Sequence, residues 1–307
     1  TKHLFLVAMC CVLLSLASCS MNSKKRDAVV LQSSDDSDLV IDASAIQTNP
    51  SEPYTLVEII KRKTGGFFTE GLTYYDSTTL LESVGIYGGS AIHKINLITG
   101  DITQNTKLPG GYFGEGCDYI VLPNGQKEVY QMTWEERIVF VYDGATLNLK
   151  RNYTMPSQIQ AGWGLTKGRK TINGVDKQIF YASDGTNNIY TVDPNGFTVL
   201  DSFQVFDDKG QKVVNINELE IVNGKLWANI WMTSRIIVID LETKKIAATL
   251  DFSELVEYAR ESFNGYWNSD DCLNGIAFDD EDGTVLITGK MWGYFYKIRP
   301  TSDFQDS

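Results

Sequence analysis

Histidine is nearly missing from this 307-residue chain: His3 and His93 are the only two. A histidine-based hydrolase triad or a multi-histidine zinc site would have to rest on His93 alone, which argues against both. Cysteine is scarce as well. Of the five, Cys10, Cys11 and Cys19 fall in or beside an apolar N-terminal run, leaving Cys117 and Cys272 for the globular part. Two thiols exclude a disulfide framework and a cysteine-rich metal site. No excess of basic charge is present either. The formal net charge is −12, which phosphates repel, so no nucleic-acid partner is expected. One long apolar run exists, LFLVAMCCVLLSLAS behind Lys2 and His3, and it is too short and too early for a membrane span.

That run reads as an export signal over residues 1–19. It ends in Leu16-Ala17-Ser18-Cys19, which resembles a bacterial lipoprotein cleavage box. In that reading Cys19 carries the lipid, and the chain is membrane-attached in the periplasm or on the outer surface. The alternative is a plain signal peptide cut near Ala17 or Cys19, with secretion. Residues 20–52, rich in Ser and Asp, suit a flexible tether. What remains, in a chain 43% hydrophobic and 21% charged, is enough for a sizeable core.

A repeat organises this remainder. FTEGL (68–72), FGEGC (113–117), GWGL (162–165), INELE (216–220) and CLNGIA (272–277) correspond to one another. Aligning Glu70, Glu115, Trp163, Asn217 and Asn274 gives, by subtraction, spacings of 45, 48, 54 and 57 residues. Each motif is followed by a second apolar run: LLESVG, VYQMTW, FYASDG, LWANIW and LITGKMW. A third, alternating run comes next: AIHKINL, RIVFVYD, NIYTVDP, RIIVIDL and YFYKIRP. Period-two alternation rich in β-branched and aromatic residues marks strands. Four units have a fourth strand, and the fifth runs out of chain. YTLVEIIKR (54–62) is the natural filler, since a propeller commonly closes its ring by lending an N-terminal strand to the last blade. The expected fold is all-β: a five-bladed β-propeller of four-stranded blades over 53–300. One helix, DFSELVEYARESF (251–263), is inserted between blades four and five, and residues 301–307 form a tail.

Antiparallel return puts the start of each first strand and the end of each second strand on one face of the disc. Glu70, Glu115, Trp163, Asn217 and Asn274 are therefore expected to ring one mouth of the central channel. Glu82, Trp134, Asp184, Trp231 and Lys290 are expected just outside them. Gly71, Gly116, Gly164 and Gly275 fit crowding near the axis. Any one of these polar residues suits a blade corner, and any Trp a blade wedge. Their convergence on one amphipathic concavity is what a small-ligand site requires.

The ordered set FTEGL, FGEG with YQMTW, GWGL with SDG, NELE with ANIW, and LNGIA with TGKMW resembles the plant-type glutaminyl-peptide cyclotransferases, a family with bacterial members. The resemblance covers residues 54–300 and implies a five-bladed propeller acting on peptides or proteins with N-terminal Gln. The implied reaction forms pyroglutamate and releases ammonia, without a catalytic metal or other cofactor. By the same resemblance, Glu115 is the general acid/base, and Asn217 and Lys290 donate hydrogen bonds to the amide oxygen. Trp134, Trp163 and Trp231 wall the pocket. Phe68, Asp184 and Asn274 complete the expected substrate-binding set. Glu70 departs from the plant pattern, where Gln is frequent; its carboxylate either holds the substrate ammonium or shares a proton with Glu115. A monomer is expected, with Cys117 and Cys272 as free thiols. Two competing readings use the same mouth. One is a non-catalytic propeller that binds peptides or surface polymers. The other is a calcium-dependent lactonase or hydrolase liganded by Glu70, Glu115, Asn217 and Asn274.

Overall fold

The computed structural model of the chain describes residues 40–42, 53–263 and 265–301. The expected export signal with Cys19, most of the expected tether, and residues 302–307 lie outside the described residues. The first strands, β1 (Val40–Asp42) and β2 (Tyr54–Lys61), belong to the last blade. Blade one is β3 (Thr69–Asp76), β4 (Thr79–Val84), β5 (Ala91–Asn96) and β6 (Ile102–Lys107). Blade two is β7 (Gly114–Val121), β8 (Lys127–Thr133), β9 (Ile138–Asp143) and β10 (Leu149–Thr154). Blade three is β11 (Leu165–Ile172), β12 (Val175–Ser183), β13 (Asn188–Asp193) and β14 (Thr198–Gln204). Blade four is β15 (Ile216–Val222), β16 (Lys225–Ile230), β17 (Arg235–Asp240) and β18 (Lys245–Asp251). Blade five is β19 (Leu273–Asp279), β20 (Thr284–Gly289) and β21 (Tyr294–Pro300), joined by β2 and β1.

The five-bladed propeller and its closure by β2 are as the repeat predicts. β2 pairs antiparallel with β21, Tyr54 opposite Pro300 and Lys61 opposite Tyr294. Blade five differs in having a fifth strand. β1 lies inside the expected tether yet pairs with β2, Val40 opposite Ile60, and covers what would be an exposed sheet edge. The helix α1 is shorter than its sequence pattern, Ser253–Glu261, because Asp251 still belongs to β18 and its side chain accepts the Ser253 amide.

Burial follows strand order. Innermost strands such as β3, β7 and β19 are buried on both faces over most of their length, whereas β6, β10 and β18 alternate half-buried or buried with exposed residues. That is the pattern of strands with one solvated face. Five apolar clusters fill the wedges between adjacent blades. Leu255 and Ala259 of α1, one turn apart, join the cluster between blades four and five. Cys117 and Cys272 are both buried free thiols, in blade two and at the start of blade five.

At the axis the innermost strands approach one another closely, in the order β3, β7, β11, β15, β19 and back to β3. The motif glycines make this possible. A Cβ on Gly116 would lie 2.4 Å from the Leu165 amide nitrogen, and one on Gly164 would lie 2.0 Å from the Asn217 carbonyl oxygen. With no side chain in the way, the Gly116 amide donates to the Trp163 carbonyl at 2.6 Å and ties blade two to blade three.

Candidate active site

The motif residues point into the mouth because the strands carrying them are irregular there. In four blades the pairing of first with second strand slips at the motif: between Thr69 and Gly71, Gly114 and Cys117, Ile216 and Leu219, and Leu273 and Ile276. The residues inside those slips include Glu70, Glu115, Asn217 and Asn274. A bulge leaves its residue outside the ladder and re-aims its side chain. The same device, repeated around the ring, turns four polar side chains toward one mouth.

Three elements then meet. Lys290, following β20, donates from Nζ to Glu70 Oε1 at 2.6 Å, and its ammonium lies 4.6 Å from the centroid of the Phe68 ring. Asn274 donates from Nδ2 to the Thr69 carbonyl at 2.8 Å and to Glu70 Oε2 at 3.3 Å, so it holds Glu70 in place. The carboxyls of Glu70 and Glu115 lie within hydrogen-bonding reach of each other. All four polar groups are at least 95% buried.

Their charges are strongly coupled. Burial pushes the Glu70 carboxyl up, with Lys290 pulling the other way. Burial, and then the adjoining Glu70 charge, push Glu115 well above the usual carboxylate range. The hydrogen bond between them lowers Glu70 and raises Glu115. The proton of the pair therefore resides on Glu115, and the charge on Glu70 faces Lys290. Lys290 itself, pushed down by burial, is raised overall by Glu70 and Glu115, so it stays cationic. An ammonium this close to the carboxylates is poor company for a divalent cation, which counts against the calcium reading.

The aromatic residues make two groups. Phe68 meets Phe113 edge-on and Phe113 meets Trp134 at a tilt, with centroid separations of 6.3 and 5.9 Å. Trp163 and Trp231 meet perpendicular at 5.5 Å. Trp163 also covers Gly185, where a Cβ would lie 2.6 Å from the indole. Asn217 belongs to this second side of the ring. No described contact joins it to the Glu70–Glu115–Lys290 cluster, and its Oδ1 is buried without a partner.

Two expected residues have other duties. Asp184 spends its carboxylate on the turn that supports Trp163, accepting from the Thr186 amide at 3.1 Å and the Tyr190 hydroxyl at 2.9 Å. Glu82 is not at the mouth. Both its oxygens accept from Arg62 Nη2, at 2.7 and 2.6 Å, and Oε1 also accepts from Thr69 Oγ1 at 2.7 Å. Burial pushes Glu82 up, but Arg62 and His93 hold it down at about 2.

Strand register explains the error. Val84, Thr133, Ile230 and Gly289 occupy equivalent positions opposite Thr69, Gly114, Ile216 and Leu273. The residues that follow are Gly85, Trp134, Trp231 and Lys290, so the blade-one counterpart of Lys290 is Gly85. A Cβ there would lie 2.3 Å from the Phe113 ring and 2.7 Å from Glu70 Cγ. Gly85 is thus a residue of the site that its chemistry alone does not announce; counting from the strand end identifies it.

A five-bladed propeller with a proton-sharing acid pair and a fixed ammonium at one mouth has the groups that acid–base catalysis requires. The sequence pattern of the glutamine cyclotransferase family matches residues 31–299, and the chain belongs to that family. A glutaminyl-peptide cyclotransferase of Arabidopsis thaliana is 32% identical over 232 residues, covering 76% of this chain and 67% of that protein. The crystal structure of Myxococcus xanthus glutaminyl cyclase is similar with a TM-score of 0.64 and 28% identity, over 80% of this chain and 95% of that one.

Proposed function

We propose that this chain cyclises the N-terminal glutamine of peptides or proteins to pyroglutamate with release of ammonia. The observation that carries the reading is the buried Glu70–Glu115 pair beside Lys290. Cyclisation needs one proton removed and one supplied. The neutral α-amine attacks the side-chain amide carbon, forming the ring C–N bond, and that amine gives a proton to the ionised Glu70. Protonated Glu115 gives its proton to the departing amide nitrogen as the original C–N bond breaks and ammonia leaves. The pair ends with the one proton it began with, and the hydrogen bond between its members returns it to Glu115.

Negative charge develops on the amide oxygen during attack. Lys290 carries three donors and commits one to Glu70 in the resting site, so others are available to that oxygen. The unpartnered Oδ1 of Asn217 suits the N–H groups of the substrate amide. Trp134, Trp163 and Trp231 supply walls that hold the chain near its cyclising geometry and keep the acid pair dry. Every step uses protein groups, with no metal or other cofactor.

The test is direct. A peptide with N-terminal Gln should release ammonia and lose the matching mass, turnover should persist in chelator, and Glu115→Gln should lower it about 10²–10⁴-fold. Binding without turnover would sink the catalytic reading, and loss of all activity in chelator would return the calcium one.

A further inference from the structure

The aromatic series at the mouth continues past the residues used so far. Phe113 also touches the ring of Tyr87, with centroids 5.4 Å apart. Tyr87 lies in the turn between β4 and β5, and it is 51% exposed beside Ile86, 52% exposed. It is nevertheless held: its hydroxyl donates to Glu136 Oε1 at 2.8 Å, while Glu136 Oε2 accepts the Phe113 amide at 3.2 Å. Ring contacts thus lead from Phe68, over which Lys290 lies, to Phe113, which touches both Trp134 and the solvent-exposed Tyr87.

The path ends in negative charge. Glu135 is exposed and Glu136 half-buried, and neither has a cationic partner among the described residues. The neighbouring cation, Arg137, is turned away; its guanidinium donates to the carbonyls of Met155, Pro156 and Ile159. Burial, the hydrogen bond to Glu136, and the charges of Glu136, Glu135 and Glu115 push the Tyr87 phenol up to about 12, as a field of one sign requires.

We infer that Tyr87, Trp134, Glu135 and Glu136 form a subsite for the residue that follows the N-terminal glutamine, and that it favours Arg or Lys there. The inference rests on the cyclotransferase reading and names a substrate class within it. An Arg or Lys side chain presents an aliphatic stem to an exposed ring and a cation to the ring face and to carboxylates. Those are the two chemistries this wall offers. An acidic residue at the same position meets like charge.

The experiment compares kcat/KM for Gln-Arg-Ala-amide, Gln-Ala-Ala-amide and Gln-Glu-Ala-amide in the wild type, E135Q/E136Q, Tyr87→Ala and Tyr87→Phe. The ratio between peptides is the readout, because a merely structural defect lowers all three together. The Arg peptide should exceed the Glu peptide about tenfold at low salt, from ring and carboxylate contacts combined, and the gap should shrink as salt is added. E135Q/E136Q should bring the ratio to within about twofold. Tyr87→Ala should lower it more than Tyr87→Phe, which keeps the ring. Equal kcat/KM for the three peptides, or an unchanged ratio in E135Q/E136Q, overturns the subsite while leaving the reaction intact. Ammonia from none of the peptides overturns the reaction instead. The same peptides titrated against tryptophan fluorescence then decide the subsite, with equal affinities counting against it and preference for Arg in its favour.

Discussion

Lys290 of the last blade and Glu70 of the first meet at 2.6 Å across the point where the ring closes. The contact neutralises a buried carboxylate and sets which member of the acid pair holds the proton. It also fixes how the site should respond to substitution.

Glu70→Gln removes the nearest negative charge from Glu115, the second cause of its upward shift after burial. The Glu115 carboxyl should then ionise at lower pH. Turnover should fall because Glu70 accepts the amine's proton in the proposed mechanism. In the residual activity, the limb of the kcat/KM profile that reports Glu115 should move acidward, still above the ordinary carboxylate value because burial is unchanged. An unmoved limb would show that the two carboxyls are not coupled.

Lys290→Ala should do the reverse. Lys290 favours the ionised form of both Glu70 and Glu115, so its loss should move the same limb to higher pH. If Lys290 also stabilises the oxyanion, kcat should fall by about 10²-fold or more with KM little changed. An unaltered kcat removes that role.

Gly85→Ala should separate folding from activity. The added methyl meets Phe113, the Gly114 carbonyl and Glu70, all at less than 3 Å. Overpacking of this kind costs about 1–3 kcal/mol, which a propeller of this size survives as a lowered Tm. Because the displaced groups include Glu70, turnover of a Gln peptide should drop more than tenfold, by analogy with other small misplacements in active sites. Full activity would mean that Glu70 is not held by this close fit.

Stability should depend on pH from both sides. Glu82 is lowered from 4.5 to about 2, so its contribution is present above 4.5 and lost as pH falls toward 2. Glu218 and Glu220, in the channel below the mouth, are raised, the latter to about 8; burial is the first cause of each. Their contribution is present below about 4.5 and is lost as pH rises, that of Glu220 toward about 8. Scanning calorimetry should therefore find the highest Tm in mildly acid buffer, with a decline on either side. Glu218→Gln should flatten the alkaline decline; an identical slope in that variant would assign the decline elsewhere.

Much of this was legible in the sequence because the repeat is regular where packing demands it. The order of strands, the borrowed β2 and the axial glycines follow from hydrophobic period and close approach. Register was harder to read. LLESVG contains an acid and VYQMTW ends on an aromatic, and chemical likeness matched Glu82 to Trp134, when hydrogen bonding matches Gly85 to it. The bulges are invisible for the same reason, since they are slips in pairing and not in residue type. The turn duty of Asp184 was not legible, because an acid beside a glycine reads equally as a ligand and as a turn. β1 was missed because three strand residues weigh little in a Ser- and Asp-rich stretch.

The join between β2 and β21 gives catalysis a timetable. Glu70 is translated 220 residues before Lys290, so a chain still emerging from the ribosome, or one cut short ahead of its final blade, has the carboxylate without its ammonium. Under the proposed mechanism turnover would wait for the circle to shut, because the closing blade brings the ammonium to the carboxylate.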